Sequence, residues 1–106
     1  MYATIRRYEA VDQARTSELI KKAQDTLLPR MSELPGFNGY SLIDTGNGVL
    51  SSIGFFDTMA QADESTRLSA TWVRDEKLDT VLPNPPKVTG GEVIANKVVE
   101  KELVHA

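Results

Sequence analysis

Arg6, Arg7 and Tyr8 stand side by side near the start of the chain, and Tyr40, Ser65, Ser69 and Trp72 are the other residues with chemistry to offer. A guanidinium is a rigid fork of donors that grips an anion. A tyrosine hydroxyl donates to a phenol or a carbonyl. An indole stacks on an aromatic ring. Together these groups suit a small aromatic ligand carrying a negative or phenolic oxygen. Each also has a plainer reading. Trp72 packs in the core or at a dimer contact, as helix aromatics mostly do. Tyr8 and Tyr40 pack their rings and leave the hydroxyls at a rim. One arginine pairs with Glu9, Asp44 or Glu92 across strands. Ser65, Thr66 and Ser69 line a wet cavity or, as the more common arrangement, face solvent on a helix.

Other chemistries lack their residues. The chain has no cysteine, which removes disulfides, thiolate catalysis and cysteine-based zinc sites. Its single histidine, His105, is one residue from the end. No metal site is expected, because metals need clustered ligands. A Ser-His-Asp triad would have to use that same histidine. Gly46, Gly48, Gly90 and Gly91 lie in turns and a strand rather than at a strand-to-helix phosphate loop. The net charge is −3 and no basic stretch interleaves with aromatics, so nucleic acid is not an expected partner. Apolar runs reach only two residues or so, as at Leu27-Leu28, too short to span a membrane. The start, MYATIRRYEA, lacks the apolar run of a signal peptide. A cytoplasmic location is the expectation.

These residues must be held by secondary elements, and the chain of 106 residues is sized for one domain. Tyr2 to Val11 alternates like a strand, which sends Arg6 and Arg7 to opposite faces. Asp12 caps a helix running to about residue 33, with an apolar stripe of Ile20, Ala23, Leu27, Met31 and Leu34. Pro29 predicts an irregularity in that helix. Pro35-Gly36 ends it. Phe37 to Asp44 and Val49 to Phe56 are strands joined by an Asn-Gly hairpin turn. Thr58 and Gln61 form a capping box for a second helix reaching about Asp79. Its stripe is Met59, Ala62, Ser69 and Val73, with Leu68 and Trp72 beside it. A proline-rich turn leads to a last strand, Lys87 to Asn96, in which Gly90-Gly91 predicts a bulge or a close backbone approach.

The order β-α-β-β-α-β predicts an α+β, ferredoxin-like fold, an antiparallel sheet with two helices on one face. The helix-free face carries large apolar groups and wants a partner. Two such sheets face to face close a barrel in a homodimer.

The stretches ELPGFNGYSLID, SSIGFFDTMAQADES and LPNPPKVTGGEV, with Trp72-Val73 between the last two, resemble the antibiotic-biosynthesis-monooxygenase-like family of the dimeric α+β barrel superfamily. The resemblance covers roughly residues 1–96 as a single domain and leaves 97–106 as a charged tail that extends the last strand or contacts the partner. It implies a homodimer with a pocket between helices and sheet in each subunit. Some members oxidise aromatic polyketides with no cofactor, and some degrade haem. Others have lyase or isomerase roles, and many have no known activity. Two functions follow as expectations. One is a cofactor-independent monooxygenase acting on an aromatic small molecule, with Arg6 or Arg7 stabilising the anion, a tyrosine relaying the proton and Trp72 stacking. The other is a non-catalytic ligand-binding or structural dimer. The haem-degrading branch uses an Asn late in the first strand, a Trp in the second helix and a later His. Here the first strand has no Asn, the Trp position falls near Ser65, and the only histidine is His105.

Overall fold

The computed structural model of the chain describes residues 1–98. Val99, Leu103, Val104 and His105 lie outside the described residues, and so does most of the charged tail. The elements are β1 (Tyr2–Tyr8), a 3-10 turn (Gln13–Arg15), α1 (Thr16–Lys22), a π-helical segment (Ala23–Leu27) and α2 (Leu28–Ser32). Then come β2 (Phe37–Gly46), β3 (Val49–Phe56), α3 (Met59–Asp75) and β4 (Lys87–Glu92). The sheet order is β2-β3-β1-β4 with every neighbouring pair antiparallel. That is the ferredoxin-like arrangement, with the helical layers on one face.

The first helical stretch is nearly continuous from Gln13 to Ser32, and Asp12 caps it by accepting from the Ala14 N–H. The irregularity expected at Pro29 lies in the turn before it, at Ala23–Leu27. Proline cannot donate to the carbonyl four residues back and its ring clashes there. A widened π turn absorbs that conflict. The buried stripe is Leu19, Ala23, Leu27 and Met31, whereas Ile20 of the expected stripe is exposed.

Pro35 and Gly36 make a turn closed by the Phe37 N–H bonding to Leu34 O at 3.2 Å. Gly36 has φ +74°, which suits glycine at the third position of a turn, directly after a proline. A side chain there would collide with Gln61. The Gln61 side-chain oxygen is held there by the Thr58 N–H, because the Thr58–Gln61 capping box forms as expected. In the hairpin, Asn47 (φ 57°) and Gly48 (φ 77°) both take left-handed conformations, as a type I′ turn requires.

Three element ends differ from the expected ones. β1 stops at Tyr8 instead of Val11, because Ala10 turns left-handed (φ 56°) and leads Val11 off to Gly48 O. α3 stops at Asp75 instead of Asp79. Lys77 is left-handed there (φ 56°), and Leu78 N–H reaches back to Val73 O at 2.8 Å. That is a Schellman end, and it turns Leu78, fully buried, into the core. β4 stops at Glu92 instead of Asn96, because Glu92 lies opposite Tyr2, the first residue of β1, and the start of the chain offers only one more bond, from the Val93 N–H to Met1 O at 2.9 Å. Its ladder runs unbroken past Gly90, so no bulge forms. Gly90 instead allows a close approach, since a Cβ would meet Ala3 O and the Tyr2 ring at 3.0 Å.

Candidate functional site

Strand alternation puts Thr4, Arg6 and Tyr8 on the helix-facing side of β1, opposite Gly54, Ser52 and Leu50 of β3. Arg7 goes to the other side, is exposed, and pairs with Glu9 at 3.4 Å. Arg6 is therefore the arginine of the interior, and its exposure is 0%. An ion in that position ordinarily has a countercharge. Among the described residues Arg6 makes no ion pair.

Its partners are hydroxyls. Nε donates to Ser52 Oγ at 3.1 Å, and Nη1 donates to Ser65 Oγ at 3.4 Å and Thr66 Oγ1 at 3.2 Å. Ser65 donates its own proton to Ala62 O at 2.6 Å, which leaves its oxygen lone pairs for Arg6. The guanidinium carbon lies 5.8 Å from the centroid of the Tyr40 ring, within cation–π range. Nη2 is buried with no hydrogen-bond partner among the described residues. The cage thus holds the cation with neutral oxygens and leaves one nitrogen free to donate.

Tyr8 is 9% exposed. Burial pushes its pKa above the ordinary value, and the nearby Arg6 charge only partly offsets that. Its hydroxyl is consequently a proton-bearing donor at neutral pH, not a base. Trp72 is 3% exposed, and its indole N–H donates to Thr26 Oγ1 at 2.7 Å. Thr26 sits in the π-helical segment and donates in turn to Lys22 O.

Of the two arrangements open to the serine face of α3, the inward one forms: Ser65 and Ser69 are buried, at 0% and 3% exposure. Small hydroxyls leave room for the long Arg6 side chain to cross from sheet to helix. Each serine satisfies its own proton on the helix backbone, Ser69 through Ser65 O at 3.0 Å. Met59, expected in the stripe, is 58% exposed. The structure thus gathers Arg6, Tyr8, Tyr40, Ser65, Ser69 and Trp72 into the space between sheet and helices, and sends Arg7 away. Ser52 and Thr26 join them unannounced. The only signal for Ser52 was its place on the inward alternation of β3.

Three spaces surround the cluster. An interior cavity of about 20 Å³ is lined by Tyr8, Tyr40, Ser69 and Trp72 together with leucines. A cleft of about 230 Å³ opens beside it between the π-helical segment and β2, at Ile20, Gln24, Leu28 and Asp44. A groove of about 410 Å³ lies on the far side, between α3 and the proline-rich turn, with Tyr8 and Thr66 at its inner wall. Among the described residues no three His, Asp or Glu side chains converge on one point. No helix among them is long and apolar enough to cross a membrane.

No protein-family model and no curated protein matches the sequence. Solved structures do. A protein of unknown function from Nitrosomonas europaea, NE2512, superposes with a TM-score of 0.73 at 18% identity, over 94% of this chain and 95% of that one. The ActVA-Orf6 monooxygenase of Streptomyces coelicolor, solved with nanaomycin D, superposes at 0.68 with 15% identity, over 93% and 92%. A dimeric ferredoxin-like protein from an uncultured marine organism superposes at 0.66 with 12% identity, over 93% and 92%. The chain has the ferredoxin-like fold found in antibiotic biosynthesis monooxygenases.

Proposed function

We propose that this chain is the subunit of a homodimeric, cofactor-independent monooxygenase acting on a small phenolic aromatic. The observation that carries the reading is Arg6: a fully buried guanidinium with only hydroxyl partners and an idle Nη2. Such a group suits a negative charge that develops during reaction. The fold, shared with monooxygenases at low identity, supports the same reading.

The chemistry needs little from the protein. A phenol or anthrone loses a proton to solvent, and its oxygen anion is stabilised by Arg6 and by the proton-bearing Tyr8 hydroxyl. The activated carbon transfers electrons to dioxygen and forms a C–O bond as a hydroperoxide. Loss of water from that carbon leaves a carbonyl. One dioxygen is consumed, one of its oxygen atoms enters the product and the other leaves as water, and all electrons come from the substrate. Trp72, its N–H already held by Thr26, walls the small interior cavity beside this cluster.

Association of two chains is part of the proposal. Ala3, Ile5, Ile53 and Phe55 share the helix-free face with Ile43, and Ile5 and Ile43 are 37% and 39% exposed. Light scattering at micromolar concentration should give twice the chain mass, and Ile53→Lys should halve it. A monomeric wild type would remove the dimer from the proposal.

The test of activity is oxygen uptake with a panel of anthrones and activated phenols. Uptake above background should fall roughly a hundredfold in Arg6→Met, the loss expected for one charge-stabilising group. No uptake with any member of the panel would sink the enzyme reading. A second reading, a non-catalytic dimer, draws on the interior cavity, whose 20 Å³ is room for about one water. Under that reading the protein folds and dimerises but consumes no oxygen.

A further inference from the structure

Two openings flank the Arg6 cluster, and they differ in charge and in what they touch. The cleft of about 230 Å³ carries Asp44 in its wall, which repels an anion. The groove of about 410 Å³ has no charged residue in its wall, and its volume falls in the range of ligand sites. Its floor is built from Ala70 and Val73 of α3, with Pro83, Pro85 and Pro86 opposite. These are flat, apolar surfaces suited to a ring. Two wall residues tie it to Arg6. Thr66 accepts from Nη1 at 3.2 Å, and Tyr8 lies close enough to feel the Arg6 charge. Tyr8 and Leu82 line both this groove and the interior cavity, so they form the thin wall between the two.

We propose that the groove between α3 and the proline-rich turn is the binding site for an aromatic anion, its ring on the prolines and its oxygen toward Thr66, Tyr8 and Arg6. This assignment rests on the reading of Arg6 as an anion-holding group and names the ligand's place and class. The ring system gains apolar contact with Ala70, Val73 and the prolines. The anionic oxygen accepts from the Tyr8 and Thr66 hydroxyls, and Arg6 behind them provides the positive field. Thr66 loses little by turning its proton outward, since its bond to Ala62 O is long at 3.5 Å.

The experiment is isothermal titration of the full chain with 2-naphthoate and with neutral 2-naphthamide as separate probes. Naphthoate should bind about tenfold more tightly than the amide, and Arg6→Met should close that gap. Ala70→Phe, which fills the groove at an exposed helix position, should weaken naphthoate about tenfold. Gln24→Phe, which fills the other cleft, should leave binding within about twofold. Loss of binding in Gln24→Phe, no effect of Ala70→Phe, or no binding at all overturns the assignment. The outcome is separable from activity. Groove binding without oxygen uptake keeps this site and refutes the monooxygenase. Oxygen uptake unchanged by Ala70→Phe keeps the monooxygenase and refutes this site.

Discussion

Replacing Arg6 with methionine separates a functional cation from a structural one. The substitution keeps much of the aliphatic volume and removes the charge. The native side chain contributes three hydrogen bonds at 3.1, 3.2 and 3.4 Å. These are longer than strong charge-assisted bonds, so each is placed at the low end, about 1.5 kcal/mol, or roughly 4–5 kcal/mol together. The Tyr40 contact adds about 1 kcal/mol. Against this stands the burial of an ion with no countercharge, which costs several kcal/mol. Ser65 and Thr66 keep their bonds to Ala62 O when Arg6 is removed, so two of the three hydroxyls are not orphaned. The two sides nearly cancel. Arg6→Met should therefore change unfolding free energy by less than about 2 kcal/mol, read from urea midpoints with an unchanged m-value. The same variant should lose naphthoate preference and oxygen uptake. A destabilisation above about 4 kcal/mol would refute the reasoning, because Arg6 would then be a strut between sheet and helix.

Three further outcomes follow from local geometry. Lys77→Gly should stabilise by about 1 kcal/mol and raise Tm by a few degrees, since a β-carbon at φ 56° is strained; a lower Tm would contradict the helix end described. Trp72→Phe should cost about 2 kcal/mol in thermal unfolding, through the lost 2.7 Å bond to Thr26 and the space left beside the interior cavity. No change in stability would mean that Trp72 contributes little to packing. Tyr8 should ionise above the ordinary tyrosine value of 10.0, seen as a late step in phenolate absorbance that Tyr8→Phe removes. Because the folded pKa is raised, the stability tied to neutral Tyr8 is complete below pH 10 and fades as pH climbs through the folded value. Equal stability at pH about 9 and about 11 would count against that burial.

Much of this was legible in residue order. Pro35-Gly36, Asn47-Gly48 and the Thr58–Gln61 pair are local chemistry, and each made the turn or cap its residues call for. The candidate residues were legible only as a set. Alternation separated Arg6 from Arg7, but nothing local said which face the helices would cover. Ser65 and Ser69 stood between a wet cavity and the more common solvent-facing helix surface, and only the register of α3 against β1 made Ser65 an acceptor for Arg6 and buried Ser69 beside it. Trp72 read as a ring in search of a role, and its role depends on Thr26, which is 46 residues away.

By itself, then, the sequence determined the element order, the turns and caps, and the exclusion of cysteine chemistry, because these depend on residues a few positions apart or on composition. The tertiary structure decided which arginine enters the interior, what satisfies it, and where the prolines and α3 leave an open groove. Those follow from long-range register and layer packing, where one residue of slip would have turned Arg7 inward and left Arg6 in water.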